Sequence, residues 1–174
     1  MLANEKGMFS LQVKGWKWVL PVVLMLGACT STVYPEEMPD EFDFSVEYGV
    51  EGKQKVDTFT DTVVKDLVID GVVEASIALT NEEMQDIYSK MVALDMMGKL
   101  DFEDDENAQC ATEPEMRTEW IIHLNEDLNI IRYTTLCRDT PDSLAIMELQ
   151  DYVHSIVTAK EEYQKLPESN GYYE

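Results

Sequence analysis

The sequence predicts an α+β protein in which one antiparallel sheet, in the order βββα followed by ββα, is packed on one face by two helices. Apolar and polar residues alternate from Phe42 to Tyr48, and Trp120, Ile122 and Leu124 recur at every second position, which is the period of a strand with one buried face. Asp70-Gly71 is a hairpin signal between two further strand-like segments. Thr80 and Thr140 each precede a stretch with helical apolar spacing.

The first three strands are predicted to form an antiparallel meander. The segment from Phe42 to Tyr48 is the first strand, and residues 49–55 have the composition of a turn. Residues 56–67 are rich in valine and threonine and are predicted to form a single second strand, although their alternation is imperfect. After the Asp70-Gly71 hairpin, residues 73–79 alternate again and form the third strand.

A capping box marks the start of the first predicted helix. In Thr80-Asn81-Glu82-Glu83 the threonine hydroxyl and the second glutamate can each satisfy a free backbone amide. Gly98 is the predicted stop, because glycine readily takes the left-handed conformation that ends many helices. The apolar stripe of this helix consists of Met84, Ile87, Tyr88, Met91 and Leu94.

The second half of the domain is predicted to be a hairpin followed by a helix. Residues 120–124 form a strand, residues 125–128 a polar turn and residues 129–137 the return strand. Thr140-Pro141 opens the second helix with proline at its first position. Since each helix has one apolar stripe, we expect both to cover the same face of the sheet. The stripe of the second helix consists of Ile146, Leu149, Val153, Ile156 and Val157.

The N-terminus has the arrangement of a secretory signal, in which lysines precede a short apolar run that ends in small residues. The run from Trp18 to Leu26 is much shorter than the ~20 residues needed to cross a bilayer. Leu26-Gly27-Ala28-Cys29 resembles the lipobox of bacterial lipoproteins, in which the cysteine thiol receives a diacylglyceryl group. The alternatives are an ordinary signal peptide with a chance cysteine and an uncleaved membrane anchor.

This resemblance implies four regions in the chain. Residues 1–28 are the signal peptide, and residues 29–41 are the lipidated Cys29 with a flexible tether. Residues 42–167 form a single α+β domain, and residues 168–174 are a loose tail after Pro167. Because two acyl chains hold a protein stably on a bilayer, we expect a lipid-anchored protein at the cell membrane that faces outside the cytoplasm.

The charge balance excludes one class of partner. The chain contains 35 acidic and 13 basic residues, for a formal net charge of −22. Nucleic-acid affinity depends on the neutralisation of phosphates by basic residues, so we expect no nucleic-acid partner. The same charge argues against docking to anionic lipid through the protein surface, which leaves the lipid on Cys29 as the membrane contact.

The remaining two cysteines, Cys110 and Cys137, form an even pair if Cys29 carries lipid. Because an exported protein meets oxidising conditions, we predict a disulfide between them, which would contribute roughly 3–4 kcal/mol in the chain-entropy model. The alternatives are two unrelated thiols and a metal site. The sequence lacks the Cys-x-x-Cys or paired-histidine motif that a metal site would favour.

The densest acidic run lies between residues 101 and 107, and we interpret it as a solvated loop. It does not match an EF-hand, because Glu106 stands where the turn needs glycine and Thr112 where the bidentate glutamate is needed. The alternative is a weak cation site, built from Asp101, Glu103, Asp104 and Asp105.

No catalytic constellation is visible in the sequence. His123 lies in a predicted strand and His154 in the second helix, without a His-Glu-x-x-His motif, and we interpret both as structural or surface residues. The chain has neither a Gly-x-Ser-x-Gly elbow nor a glycine-rich phosphate loop, so the prediction includes no catalytic residue, no metal and no cofactor. Lys65-Asp66 lies among valines and is either an exposed strand edge or a paired polar group at a binding surface.

Several short motifs resemble an uncharacterised group of lipoproteins from Gram-positive bacteria. They are Tyr48-Gly49, Asp57-Thr58, Lys65-Asp66 and the stretch from Leu79 to Met91. The resemblance covers roughly residues 42–95, and it implies a cell-surface lipoprotein with one exposed domain. It implies no activity.

Two functions remain open from the sequence. The first is a binding or interaction module whose ligand is an envelope protein, a wall component or a small molecule. The alternative is an envelope hydrolase that uses acidic residues. A shallow apolar patch on the sheet would favour the binding module, whereas two acidic residues in one deep pocket would favour the enzyme.

Overall fold

A computed structural model describes residues 34–35, 37–100, 113–134 and 140–173. The described residues confirm the α+β class, with one six-stranded antiparallel sheet and two main helices. The elements in chain order are β1 (Phe42–Tyr48), β2 (Gln54–Asp57), β3 (Thr62–Val68), β4 (Gly71–Ser76), α1 (Asn81–Ala93), β5 (Arg117–Leu124), β6 (Asp127–Thr134), α2 (Pro141–Thr158) and the short α3 (Glu161–Gln164).

Strand β1 joins the two halves of the sheet, whose order is β4-β3-β2-β1-β5-β6. On one side β1 pairs with β2, in a register that places Val46 opposite Val56. On its other side β1 pairs with β5, so that Val46 also lies opposite Trp120. All neighbouring strands are antiparallel. The hairpin β5–β6 therefore extends the meander into a continuous sheet.

Both main helices cover the same face of the sheet. Phe42 and Tyr48 project from one face of β1, since their positions differ by an even number. The Phe42 ring meets the Tyr88 ring of α1 with centroids 5.1 Å apart, and the Tyr48 hydroxyl lies 2.6 Å from Nδ1 of His154 in α2. The buried core lies in this layer and includes Phe44, Val46, Ile87, Met91, Trp120, Ile122, Ile146 and Val153.

The prediction of one strand over residues 56–67 is wrong, because a turn over residues 58–61 divides the segment into β2 and β3. Thr58 causes the break by turning its hydroxyl back to β1, where it accepts a hydrogen bond from the Phe44 amide at 2.8 Å. Asp61 then takes a positive φ of 51°, which ends the turn. The predicted three-stranded meander is therefore four-stranded.

The helix starts follow the prediction more closely than the helix ends. The Thr80 hydroxyl accepts from the Glu83 amide, and the Glu83 carboxylate accepts from the Thr80 amide, so the capping box is present. Thr140 likewise caps α2, with Pro141 at the first position. However, α1 ends at Ala93 and not near Gly98, because Asp95 takes the left-handed conformation with φ 51°.

The C-terminal residues contact the end of β3. The amide of Asn170 donates to the carbonyl of Leu67, and the Ile69 amide donates to the carbonyl of Asn170. The Tyr173 hydroxyl donates to the Asp66 carboxylate at 2.6 Å. The described part of the tail therefore has defined partners in the sheet.

The described part of the tether also contacts the domain. The Tyr88 hydroxyl of α1 donates to the carbonyl of Pro35 at 2.7 Å, and the Met97 amide donates to the Tyr34 hydroxyl. Met38 packs against the core as well. In the described part of the chain, no helix combines the length and the apolar composition needed to cross a bilayer.

Candidate functional site

The face of the sheet that points away from α1 and α2 is called the open face. Because side chains alternate along a strand, its residues are the neighbours of the core residues, and on β2, β1, β5 and β6 the strand register arranges them in three rows. One row is Asp43, His123 and Leu128, and the next is Asp57, Ser45, Ile121 and Ile130. The third row is Lys55, Glu47, Glu119 and Arg132.

One group of apolar side chains lies at the β5–β6 side of the open face. Leu128 and Ile130 are 60% and 43% exposed, and Phe59 in the β2–β3 turn is 45% exposed. The Phe59 ring lies over this side of the face, with its centroid 6.4 Å from that of His123. The group is completed by Ile121, which lies opposite Ile130. We call Phe59, Ile121, His123, Leu128 and Ile130 the outer apolar cluster.

The third row on the open face is held by ion pairs. Glu47 and Glu119 lie directly opposite each other, which brings two like charges together. Lys55 offsets one of them, since its ammonium lies 3.4 Å from Glu47 and 3.1 Å from Asp57. Arg132 pairs with Glu119. Burial lowers the pKa of Lys55, but its hydrogen bonds and charge interactions with Asp57 and Glu47 outweigh burial and raise the pKa overall.

A cavity of about 510 Å³ adjoins this row. Its lining includes Glu47, Glu115, Glu119, Arg117 and Arg132, and thus three carboxylates and two guanidinium groups. Two of the carboxylates are already engaged, because Glu47 pairs with Lys55 and Glu119 with Arg132. The arrangement can bind charged groups of either sign. It also brings together the type of residue that a carboxylate hydrolase would need.

A second polar arrangement lies between the sheet and the helices, and we call it the polar layer. The Tyr48 hydroxyl lies 2.6 Å from Nδ1 of His154, and the Thr118 hydroxyl donates to Gln150 at 3.0 Å. Gln150 and His154 are one turn apart on α2 and therefore face the sheet together. The Lys65 ammonium lies 5.1 Å from the centre of the Tyr163 ring, which joins β3 to α3.

Burial keeps the Tyr48–His154 pair neutral. Desolvation raises the pKa of the Tyr48 hydroxyl well above its usual value of 10, and the nearby Tyr163 and Asp151 add to the increase. Desolvation also lowers the pKa of His154, which Asp151 only partly opposes. The Tyr48 hydroxyl and Nδ1 of His154 therefore share a buried hydrogen bond between two neutral groups, which joins β1 to α2.

Comparison with protein-family models, with curated proteins and with solved structures finds no match to this chain. No family is shown. Among residues 34–35, 37–100, 113–134 and 140–173, no three histidine, cysteine or acidic side chains are grouped so that they could hold a metal ion.

The sites predicted around the cysteines and the acidic run lie outside the described residues. They are Cys29, Cys110, Cys137, Asp101, Glu103, Asp104 and Asp105. The lipid site, the disulfide and the weak cation site therefore stay predictions.

Lys65 and Asp66 point to opposite faces of the sheet and contact different residues. Lys65 lies over the Tyr163 ring, whereas Asp66 accepts from the Tyr173 hydroxyl and from the Val68 amide. The two histidines are also separated, since His123 lies on the open face and His154 in the polar layer.

The outer apolar cluster was not predicted from the sequence. Its signal is a break in the alternation, because Ile121 lies between Trp120 and Ile122, and Ile130 precedes Ile131. A strand that is apolar on both faces is expected where both faces are covered. In this protein one of those two faces is the open face, which α1 and α2 do not cover.

Proposed function

We propose that this protein is a membrane-anchored extracytoplasmic lipoprotein that acts as a binding module through the open face of its sheet. The outer apolar cluster is the observation that carries the proposal. It places Leu128 and Ile130, both exposed, on the face opposite the helices, and His123 lies between Leu128 and the exposed ring of Phe59. Contiguous exposed apolar side chains of this kind are a common mark of interaction sites.

Energetics favour a covered state of this face. Burying a large apolar side chain contributes about 1.5–3 kcal/mol relative to leaving it exposed. Phe59, Leu128 and Ile130 are 45%, 60% and 43% exposed, so each offers roughly half of this gain to a partner that fits it. The neighbouring ion pairs add orientation, since charged groups at the border of an interface contribute more to specificity than to affinity.

The anchor rests on the N-terminal sequence. Leu26-Gly27-Ala28-Cys29 follows a short apolar run in the manner of a lipobox. A lipid on Cys29 would place the domain at the outer surface of the membrane, where an envelope protein or a wall component could reach the open face. No nucleic acid and no cofactor are part of the proposal.

Covalent footprinting tests the binding role without knowledge of the ligand. The full lipoprotein would be labelled by hydroxyl radicals in intact envelopes and again after purification. We expect lower labelling of Leu128, Ile130 and Phe59 in the envelope. Leu144 on α2 is the matched control, because it is also a leucine and is 48% exposed. Equal labelling of Leu128 in both preparations would contradict the proposal.

The cavity with three glutamates supports an alternative, which is an envelope hydrolase. This alternative expects the purified protein to release soluble fragments from isolated cell wall. It further expects the release to be lost in Glu115→Gln or Glu119→Gln, which remove one carboxylate each from the cavity lining. Wall that stays intact with the wild-type protein would leave the binding module as the sole proposal.

A further inference from the structure

We propose that the outer apolar cluster docks a cationic segment of a partner protein that carries alternating apolar side chains. This inference rests on the proposed function, because it names the chemistry of the partner that the open face would bind. Three features of the molecule point to such a partner, namely the charges around the cluster, the geometry of the neighbouring edge strand and the charge of the whole chain.

The charges around the cluster are mainly negative. The three rows of the open face hold four carboxylates, on Asp43, Glu47, Asp57 and Glu119, but only two cations. Both cations are engaged within the sheet, since Lys55 pairs with Glu47 and Asp57, and Arg132 with Glu119. Negative charge is therefore left for a partner to neutralise.

Two of these carboxylates have incomplete partners. Asp43 accepts a hydrogen bond from the Thr58 hydroxyl at 2.9 Å, and no described cation lies within ion-pair distance of it. Asp57 has one oxygen near Lys55, while within the described residues its other oxygen is buried without a hydrogen-bond partner. Asp43 lies in the same row as His123 and Leu128, so a cation bound there would be next to the apolar side chains.

The turn at the end of the cluster has the same sign. Glu126 lies in the β5–β6 turn, two residues before Leu128, and its side chain is exposed. An apolar surface bordered by acidic groups favours a segment that presents leucine-like side chains together with lysine or arginine.

The edge of the sheet is less suited to docking than its face. In the described part of the chain β6 is the outermost strand on its side. However, the Ile130 amide donates to Oδ1 of Asn129 at 3.0 Å, and Nδ2 of Asn129 donates to the carbonyl of Met96 at 2.6 Å. A capped amide opposes the addition of another strand at this position. The partner therefore lies across the open face.

The charge of the chain selects the partner over a second copy. The formal net charge is −22, so two copies repel each other during encounter. A cationic partner is attracted over the same distances, and salt should weaken this attraction because it screens charges beyond about 8–10 Å.

The test measures peptide binding by the full lipoprotein in nanodiscs of phosphatidylcholine, a lipid without net charge. Empty nanodiscs are the reference. The probe is an eight-residue peptide of alternating lysine and leucine, which places its leucines on one side when extended. A second peptide of alternating glutamate and leucine has the same apolar side and the opposite charge. We expect the lysine peptide to bind, the glutamate peptide to bind at least tenfold more weakly, and binding of the lysine peptide to weaken with salt.

Matched variants locate the binding. Leu128→Ser should weaken binding of the lysine peptide about tenfold, since it removes an exposed leucine side chain that the bound peptide would bury. Leu144→Ser makes the same change on α2 and should alter binding less than twofold. Glu126→Gln should weaken binding, whereas Glu162→Gln on α3 should not. Circular dichroism would establish that all four variants keep the fold.

Two outcomes would overturn the inference. One is equal binding of the two peptides, and the other is equal effects of Leu128→Ser and Leu144→Ser. If Leu128 is protected in envelopes but the lysine peptide does not bind, the class of partner is wrong and the binding module stands. If Leu128 is unprotected in envelopes, the proposed function itself fails. A dimer that Leu128→Ser dissociates, seen by analytical ultracentrifugation, would make a second copy the occupant.

Discussion

Tyr48 and His154 form the clearest long-range polar contact in the described core, since their hydrogen bond joins residues 106 positions apart. Sequence analysis assigned His154 to a helix and to a structural or surface role. It could not identify Tyr48 as the partner, because that contact depends on how α2 lies across β1. Tyr163 also packs edge-on against the His154 ring, with centroids 6.3 Å apart.

The buried histidine predicts a pH dependence of stability. Its pKa is lowered in the folded chain from the usual value of 6.5, mainly by desolvation. Between the folded pKa and 6.5 the unfolded chain binds more protons, so the free energy of unfolding decreases as the pH falls through this window. The contribution is fully present above pH 6.5 and is lost below the folded pKa.

Urea unfolding at pH 7.5 and at pH 5 measures this effect. In His154→Asn the side chain still offers a hydrogen-bonding group where Nδ1 stood, but it does not titrate. We therefore expect the free energy of unfolding to differ less between the two pH values in this variant. His123→Asn is the control, because His123 lies on the open face outside the polar layer. The prediction is wrong if His154→Asn retains the wild-type difference.

At the scale of the elements, the success of the sequence prediction depends on whether local signals decide the structure. The caps at Thr80 and Thr140 are local, and both were predicted. The division of the predicted second strand into β2 and β3 was not predicted. It depends on a hydrogen bond between Thr58 and Phe44, which lies in another strand. Helix α3 is only four residues long, too short for a helical period to be visible.

The role of Thr58 predicts the effect of a substitution. Thr58→Val keeps the shape of the side chain but leaves the Phe44 amide without the hydroxyl that accepts from it. We expect a loss of about 1–3 kcal/mol in the free energy of unfolding, which is the cost of an unsatisfied buried polar group. Thr60→Val in the same turn is the control, since the Thr60 side chain is exposed. Equal losses in the two variants would show that the turn tolerates either change.

At the scale of the whole molecule, the core predicted from the alternation and the apolar stripes is present, whereas the open face was not foreseen. The difference is physical. A core is specified by periodicity, but a patch on the outer face depends on the register that places Leu128 opposite His123 and on the turn that brings the Phe59 ring to His123. The predicted lipid site and disulfide rest on residues 29, 110 and 137, so the described domain offers no test of them.

The proposed lipid anchor on Cys29 predicts the location of the protein. Cys29→Ala removes the thiol that would receive the lipid, and no other membrane contact is part of the proposal. We expect the variant to be released from the membrane fraction of cells or to accumulate as uncut precursor. Cys110→Ala is the control, since that cysteine is assigned to the disulfide. A processed Cys29→Ala protein that stays in the membrane fraction at the wild-type level would contradict the lipid anchor.

The contacts of Tyr34 and Pro35 change the reach of the tether. A free chain from Cys29 to the domain at residue 42 would extend roughly 40 Å. Because Pro35 is held by the Tyr88 hydroxyl and Tyr34 by the Met97 amide, only residues 30–33 separate Cys29 from the first described contact. Four extended residues reach about 14 Å, so a lipid on Cys29 would hold the domain close to the headgroups.

This arrangement predicts how the tether responds to protease. Tyr88→Phe removes the hydrogen bond to Pro35, so we expect a glutamate-specific protease to cleave after Glu37 faster than in the wild type. Tyr152→Phe is the matched control, because its hydroxyl contacts Asp86 on α1 and not the tether. Cleavage would be followed by mass spectrometry, with the rate after Glu168 in the tail as the internal reference. If Tyr88→Phe leaves the ratio of the two rates unchanged, the hydroxyl does not hold the tether, and the domain regains the longer reach.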